Sequence, residues 1–239
     1  MADTPADVDL REKLIFERGF EPVVQRVFGT ERKLFRDLII SMGISPETKL
    51  LSSIWRDPLT KHFDLVATAF ANLSVITEAI PSLRANAGLE KFIESSALKS
   101  AGDISATSAR DMRSASALAA EMLREENQAV TNTAVAGTGS RILSRIQKGR
   151  EGAIIVTETQ TAAEGGKAMG ADAREQENKT WVTVQDSKVR PSHVAANGQR
   201  VSISSAFVVD GQQLLYPGDR SLGASVGIVA YCRCAAVYR

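Results

Sequence analysis

The chain has 239 residues, which is enough for one large domain or two modest domains with cores of their own. Its 44% hydrophobic and 24% charged residues exclude an intrinsically disordered chain. A net charge of +1, balanced on both sides of residue 150, argues against a protein that binds nucleic acid strongly through its phosphates.

The N-terminus and the cysteines point to a cytoplasmic protein. The first nine residues are acidic and polar, unlike the basic and apolar start of a signal peptide. No apolar run reaches the roughly 20 residues that span a bilayer. Cys232 and Cys234, the two cysteines, do not form the disulfide framework of a small secreted domain. We expect no membrane partner.

From Asp9 to about Met42 the sequence has a helical pattern with one interruption. Gly19 and Pro22 predict a break, and Gly43 with Pro46 predicts the end of the second helical piece. Apolar residues recur at helical spacing on one face: Val23, Val27, Leu34, Leu38 and Met42.

Asp57-Pro58 predicts the start of a helix with a long apolar face, because proline is tolerated in a first helical turn. His62 lies on this helix and is expected to be solvated or capped, and Pro81 is expected to end it. We interpret the face as part of an intramolecular core, and the alternative is a seam between molecules. The face consists of Leu59, Phe63, Val66, Phe70, Leu73, Ile76 and Ile80.

A capping box at Ser108 and Asp111 predicts a further helix that ends near Ala129. The glycines between residues 131 and 140 predict a loop or joint, and a helical pattern then extends to residue 173. We therefore predict a helical region over residues 1–140 and a second domain over residues 141–239.

Beyond Asn178 the pattern changes to short strands and tight turns. Strands are expected at 181–184, 201–203, 207–209, 212–215 and 226–232. A short helix is expected from Pro191 to Ala196, ended by Asn197-Gly198. Asp210-Gly211 predicts a hairpin, and Tyr216-Pro217-Gly218-Asp219 predicts a turn. The fold class is α+β: a mostly helical N-terminal region followed by a small α+β domain with short antiparallel strands and hairpins.

The spacing of six short motifs in this second domain resembles a known family. In chain order, the motifs are the helical segment Ala153-Ile-Ile-Val-Thr-Glu158, Lys179-x-Trp181-x-Thr183-x-x-Asp186-x-x-Val189-Arg190-x-x-His193, Asn197-Gly198-Gln199, Phe207, Tyr216-Pro217-Gly218-Asp219 and Cys232-Arg233-Cys234. They are similar to the C-terminal domain of phage head-morphogenesis proteins, the minor head proteins similar to the phage Mu F protein. The arginine of that family's helical signature is absent here.

The resemblance implies a minor head (capsid) protein of a tailed bacteriophage, present in few copies at the portal vertex. It implies action in head morphogenesis or DNA ejection, with the portal protein and/or the major capsid protein as partners. It implies a virion location after assembly in the host cytoplasm, and no defined catalytic reaction. Residues 1–140 match only in being helical, so docking or self-association through these helices is an analogy.

His193, Cys232 and Cys234 are residue types that bind Zn²⁺, and Asp186 could supply a fourth ligand. The Cys-x-Cys spacing is not the common zinc spacing. The interpretation we favour makes His193 a hydrogen-bonded orienting residue and the two cysteines small buried side chains. A structural zinc site and a redox role are the alternatives, and no other cofactor is expected.

Asp186 and Arg190 are four positions apart and are expected to form an ion pair or a turn-capping network. Trp181 is expected to anchor the core of the small domain, and Pro217 and Gly218 to form its turn. The alternative is an enzyme, a hydrolase or transferase, with Asp186 and His193 as an acid/base pair beside a Cys232 nucleophile. No glycine-rich oxyanion motif accompanies these residues, so we expect no catalytic site.

Overall fold

Four long α-helices make up most of the chain that the structure describes. The structure is a computed structural model that describes residues 5–73 and 87–239. The long helices are α1 (Pro5–Met42), α2 (Thr48–Leu73), α3 (Ala87–Glu125) and α4 (Asn132–Asp172). They are followed by β1 (Asn178–Val182), α5 (Pro191–Ala196), β2 (Arg200–Ser202), β3 (Phe207–Val209), β4 (Gln212–Leu214), α6 (Val226–Val229) and β5 (Ala235–Tyr238). The α+β fold class is confirmed.

Helix α1 passes through the break predicted at Gly19 and Pro22, so that prediction is wrong. An interior proline removes one backbone hydrogen bond and costs about 3 kcal/mol or more. Buried side chains on both sides of it, including Phe20 and Val24, favour a continuous helix. The predicted end is confirmed, because Gly43 adopts a φ of 69° and its N–H donates to the Ile39 carbonyl at 2.9 Å.

Helix α2 begins at Thr48, ten residues before the predicted start, and Pro58 lies inside it. Leu51 and Trp55 precede the proline on the same face as Leu59, and all three are fully buried. Burial of this apolar face therefore favours helix on both sides of Pro58. It outweighs the preference of Asp57-Pro58 for the start of a helix.

The rest of the predicted α2 face is buried within the chain as far as the structure describes it. Phe63, Val66 and Phe70 have no exposed surface. Ile76, Ile80 and Pro81, and the side chain of Leu73, lie outside the described residues. The described part of this face therefore belongs to an intramolecular core.

The capping box predicted at Ser108 and Asp111 is wrong, because both residues lie inside α3. Arg150 donates to Ser108 at 3.2 Å and to Asp111 at 2.7 Å, so these side chains fasten α4 to α3. Helix α3 ends at Glu125, four residues before the predicted end.

The loop predicted for residues 131–140 is also wrong, because α4 begins at Asn132. The Thr131 hydroxyl accepts a hydrogen bond from the Ala134 N–H at 3.2 Å and caps the helix. Gly139 is needed for packing, since a Cβ there would lie 3.0 Å from the ring of Phe35. The glycine therefore marks a close helix contact and not a joint.

The chain divides into two compact units, each formed by separate stretches of sequence. Unit 1 takes residues 1–20, 61–96 and 155–239, and unit 2 takes residues 21–60 and 97–154. The predicted division between residues 140 and 141 falls inside the continuous helix α4. Each long helix contributes to both units, so a change of composition along the sequence does not mark the division.

Unit 2 has an apolar core made of large side chains from all four long helices, with alanines mainly on α3. A second buried group in this unit joins Glu31 to Trp55 and Gln147, whose side chains donate to its carboxylate at 2.7 and 2.9 Å. The core cluster consists of Phe35, Ile39, Leu51, Ala109, Met112, Ala115, Ala119, Leu123, Val135, Ala136 and Leu143.

Within unit 1, His62 is buried, so the solvated position expected for it is wrong. Its ring stacks on Phe20 with a centroid distance of 3.8 Å, and its Nε2 lies 3.0 Å from the Thr159 hydroxyl. Burial lowers the pKa of His62 to about 3, so the side chain is neutral at pH 7.

The small module of unit 1, residues 178–239, contains a three-stranded antiparallel sheet in the order β2-β1-β5 and the hairpin β3-β4. In the sheet, Lys179 pairs with Val201 and Trp181 pairs with Ala236. The core of the module consists of Trp181, Ala196, Phe207, Val209, Leu214, Ala224, Ile228, Val229, Cys232, Cys234 and Ala236.

The predicted turns of this module are confirmed. Asp210 and Gly211 have φ values of 53° and 72° between β3 and β4. Gly218 has a φ of 94°, and the Asp219 N–H donates to the Tyr216 carbonyl at 3.0 Å. The short helix from Pro191 to Ala196 is also confirmed as α5.

The strand predicted over residues 226–232 is wrong. Residues Val226–Val229 form the short helix α6, and the last strand is β5 at Ala235–Tyr238. A short apolar run fits a strand and a buried helical turn equally well by its pattern. Ile228 and Val229 are buried from the helix, so tertiary packing decides between the two.

Candidate functional site

Three elements of the small module bring His193, Cys232 and Cys234 together. His193 lies in the middle of α5, Cys232 follows α6, and Cys234 immediately precedes β5. All three side chains are buried, and their potential ligand atoms lie within 4.8 Å of one another. We call this group the His/Cys/Cys cluster. Its residue types are compatible with zinc.

The two sulfur atoms lie on the same side of the His193 imidazole. Nδ1 of His193 is 3.4 Å from Sγ of Cys234 and 3.7 Å from Sγ of Cys232. The other ring nitrogen, Nε2, lies 3.1 Å from the carbonyl oxygen of Ile228. A carbonyl oxygen can only accept, so Nε2 carries a proton, and Nδ1 is the ring nitrogen that faces the sulfur atoms.

The two thiols are electrostatically different. A hydrogen bond from Cys234 holds the pKa of Cys232 well below its usual range despite burial, and His193 acts in the same direction. The neighbouring Cys232 and burial together raise the pKa of Cys234.

Trp181 encloses the cluster from β1. Its ring meets the His193 ring edge to face, with centroids 5.7 Å apart, and has no exposed surface. The indole N–H favours the thiolate form of Cys234, but it does not reach the geometry of a hydrogen bond to any partner. Its predicted place in the core is thus confirmed, and a buried donor remains beside the sulfur atoms.

Asp186 and Arg190 do not form the predicted pair, because each has other partners. Asp186 accepts two hydrogen bonds from Arg233, at 2.6 and 2.7 Å. Arg190 donates to the backbone carbonyls of Gly227 and Ile228. The hydrogen bonds from Arg233 lower the pKa of Asp186 to about 2, so the carboxylate is charged at pH 7.

This pairing also separates the residues of the catalytic alternative. His193 is oriented by the Ile228 carbonyl, whereas the triad would require Asp186 in that position. Asp186 is bound to Arg233 and is not a member of the His/Cys/Cys cluster, so it is not the fourth ligand of the predicted zinc site.

Helix α4 makes hydrogen bonds to two of the motifs, the Cys232-Arg233-Cys234 segment and the turn at Gly218. The Gln160 side chain donates to the Cys234 carbonyl at 2.7 Å. The Thr161 hydroxyl donates to the Gly218 carbonyl at 3.1 Å, in the turn that also contains Pro217. A Cβ on Gly218 would lie 3.3 Å from the Thr161 backbone, a close contact that adds to the preference for glycine set by its φ of 94°.

The sequence reasoning missed a buried ionic network next to this module. Glu164 of α4 accepts hydrogen bonds from Lys13 at 2.7 Å and from the Ala236 N–H of β5 at 2.9 Å, and it pairs with Lys167 at 2.8 Å. Lys167 also pairs with Asp9. The available signal was weak: a Glu and a Lys three positions apart in an alanine- and glycine-rich helix.

No helix among the described residues has the length and apolar character needed to cross a membrane. No family model, curated protein or solved structure matches the chain. The resemblance to phage head-morphogenesis proteins therefore depends on the motif residues alone.

Proposed function

We propose that this protein is a minor head protein of a tailed bacteriophage, associated with the portal vertex and acting in head morphogenesis and DNA ejection. The observation that carries the proposal is the arrangement of its motif residues. The motif residues between Lys179 and Cys234 resemble those of one family, and in the structure they bond to one another inside a single small module. Asp186 with Arg233, and His193 with both cysteines, connect motifs about 40 or more positions apart.

The chemistry of these residues supports a structural role and not an enzymatic one. Most of their polar side chains are satisfied by backbone groups of the module: Lys179 donates to the Leu215 carbonyl at 2.7 Å, and Asp219 accepts from the Leu215 and Ser221 N–H groups. Such bonds fix turns and do not leave reactive groups directed at a substrate. Where the module takes a metal, Zn²⁺ held by His193, Cys232 and Cys234 would connect separate segments of the module and stabilise it.

We propose the portal protein and/or the major capsid protein as partners, with assembly in the host cytoplasm and a final location in the virion. The described part of the apolar face on α2 cannot be the docking surface, since Leu59, Phe63, Val66 and Phe70 are buried. Docking or self-association would use other surfaces of the helices. The balanced charge continues to argue against strong nucleic-acid binding.

The test is quantitative mass spectrometry of purified heads from the phage or prophage that encodes the chain. The expected result is a copy number far below that of the major capsid protein, together with loss of infectious particles when the gene is deleted. Absence from the heads, or a copy number equal to that of the major capsid protein, would contradict the proposal.

The catalytic alternative predicts a different outcome in the same system. An active site would require Cys232 as a nucleophile, so Cys232→Ala in a stably folded protein would abolish function. Under the structural proposal, phage yield follows the stability of the module. A Cys232→Ala protein that stays folded and enters heads should therefore retain phage yield.

A further inference from the structure

We propose that the His/Cys/Cys cluster is a mononuclear zinc site, with Nδ1 of His193 and the sulfur atoms of Cys232 and Cys234 as its three protein ligands. The inference depends on the geometry of the cluster and not on where the protein acts. It names the ligand atoms, the groups that orient them and the ion, and it can fail while the proposed function stands.

The spacing of the ligand atoms is the first argument. With Zn–S near 2.3 Å and Zn–N near 2.0 Å in a tetrahedral array, a ligating nitrogen and sulfur lie about 3.5 Å apart. The observed distances from Nδ1 to the two sulfur atoms are 3.4 and 3.7 Å. Both nitrogen-to-sulfur distances are therefore close to the spacing that one zinc ion would impose.

The orientation of His193 is the second argument. The bond from Nε2–H to the Ile228 carbonyl fixes the tautomer, and metal-binding histidines are commonly oriented by such a bond on their other nitrogen. The same carbonyl also accepts from Arg190 at 2.7 Å, which holds the acceptor in place. Nδ1 has one lone pair, yet two sulfur atoms converge on it; one metal ion would satisfy all three atoms.

Charge and hydrogen bonding are the third argument. Two thiolates and one divalent cation have no net charge, which suits a site whose three side chains are at most 3% exposed. A zinc-bound sulfur retains acceptor capacity, and the Trp181 N–H is a buried donor without a partner beside the cluster. Metal binding would provide that donor with an acceptor.

Three protein ligands leave one position of a four-coordinate zinc ion for a further ligand. Among residues 5–73 and 87–239 the group contains three ligand side chains, whereas zinc takes about four ligands. A water molecule or another small ligand would complete the coordination. Cys and His are the ligand types that zinc prefers over Mg²⁺ or Ca²⁺, which take oxygen ligands.

The direct test is metal binding by the full chain, purified under reducing conditions and stripped with a chelator. Titration with Zn²⁺ in competition with a chromophoric chelator should give one ion per chain and a higher thermal midpoint. Co²⁺ should give the sulfur-to-cobalt charge-transfer absorption and the intense visible bands of a tetrahedral site. A folded, fully reduced protein that binds neither ion, or a Co²⁺ spectrum without the sulfur band, would overturn the inference.

Substitutions identify the ligands. Cys232→Ser, Cys234→Ser and His193→Gln should each weaken Zn²⁺ binding by at least about 100-fold, the upper end of the range for residues that only support a ligand. His62→Gln is the matched control, because His62 is also a buried histidine of unit 1 but lies outside the cluster. Binding that survives replacement of both cysteines, or that is lost equally in His62→Gln, would exclude the proposed site.

A measurement on the unmodified protein covers the case in which a ligand variant does not fold. Saturating Zn²⁺ should slow the alkylation of both cysteines, and a chelator should restore the original rate. Equal alkylation rates with and without Zn²⁺ would contradict ligation by Cys232 and Cys234.

Trp181→Phe tests the positioning residue. The substitution keeps an aromatic ring and removes the N–H, so we expect Zn²⁺ affinity to fall by about 10-fold and the sulfur-to-cobalt band to shift. If the sulfur-to-cobalt band of Trp181→Phe is unchanged, Trp181 does not donate a hydrogen bond to the metal-bound sulfur. If the protein is found in heads but does not bind zinc, the proposed function stands and the zinc site is contradicted. If the protein binds zinc but is absent from heads, the zinc site stands and the proposed function is contradicted.

Discussion

The two compact units bury a carboxylate in different ways. In unit 2, Glu31 accepts hydrogen bonds from two neutral donors, Trp55 and Gln147. In unit 1, Glu164 is paired with two ammonium groups, those of Lys13 and Lys167. Both glutamates are completely buried, so their surroundings and not their exposure distinguish them.

The difference has a clear electrostatic consequence. Burial raises the pKa of Glu31, although its hydrogen bonds and the charge of Arg150 oppose the shift. Burial alone would lower the pKa of Lys167, but Glu164 and Asp9 reverse this effect and the net pKa is raised. Glu164 therefore depends on the ammonium groups beside it, whereas Glu31 is held by hydrogen bonds from neutral side chains.

The largest expected effect is the difference between Glu164→Gln and Glu31→Gln, which make the same chemical change in the two units. Glu164→Gln leaves two buried lysines with one carboxylate fewer and should lower the free energy of unfolding by about 3–5 kcal/mol. Glu31→Gln breaks one of two neutral hydrogen bonds and should cost about 1–3 kcal/mol. Urea unfolding of both variants measures the difference, and an equal or larger cost for Glu31→Gln would contradict it.

Glycine substitutions in α4 provide a second comparison. A Cβ on Gly166 in unit 1 would overlap the backbone of Ala67, whereas a Cβ on Gly149 in unit 2 meets no atom within 4 Å. Gly166→Ala should therefore destabilise the protein by about 1–3 kcal/mol through overpacking. Gly149→Ala should stabilise it by up to about 1 kcal/mol, because alanine is the better helix former. Thermal unfolding of the two variants measures the difference. If the thermal midpoints of Gly166→Ala and Gly149→Ala shift in the same direction, the predicted difference in packing is contradicted.

The pH dependence of stability provides the third comparison. The folded pKa of His62 is about 3, lowered from 6.5, so between these values the unfolded chain binds a proton that the folded chain does not. His62 therefore does not change the free energy of unfolding with pH above pH 6.5. As pH falls from 6.5 toward 3, protonation of His62 in the unfolded chain lowers the free energy of unfolding by up to about 1.4 kcal/mol per pH unit. His62→Gln should reduce the slope of unfolding free energy against pH in this range.

Glu31→Gln is the control for the pH measurement. A carboxyl group with a raised pKa lowers the free energy of unfolding as pH rises, which is opposite to the effect of His62. Its contribution is present at low pH and is lost as pH rises above the ordinary carboxyl value of 4.5. Replacing Glu31 should therefore leave the acid-induced loss in place. A His62→Gln variant that loses stability with the same slope as the parent would rule out His62 as its source.

Local signals in the sequence predicted the small module better than they predicted the long helices. Asp210-Gly211, Gly218 and Pro191 have backbone preferences that depend on the residues themselves, and their turns and short helix were predicted correctly. The break at Pro22 and the start at Pro58 were predicted by the same kind of reasoning and were wrong. A long buried face outweighs the local cost of one proline, and its burial cannot be seen from neighbouring residues.

The candidate site was predictable in its residue types but not in its pairings. The scarcity of tryptophan, histidine and cysteine identified Trp181, His193, Cys232 and Cys234, which do lie together. The charged partners were assigned by nearness in sequence, and Asp186 was therefore paired with Arg190 instead of Arg233. Lys13 and Glu164, 151 positions apart, were not connected at all.

The sequence by itself determined the α+β class, the turns of the small module and the residue types of the His/Cys/Cys cluster, because these depend on composition and on the backbone preferences of single residues. The tertiary structure decided where the long helices begin and end, which units they form and which charged groups meet. Those outcomes depend on burial between distant segments, and the sequence alone does not specify which distant segments meet. For the cluster, it also decided which nitrogen of His193 faces the sulfur atoms, since the Ile228 carbonyl occupies the other one.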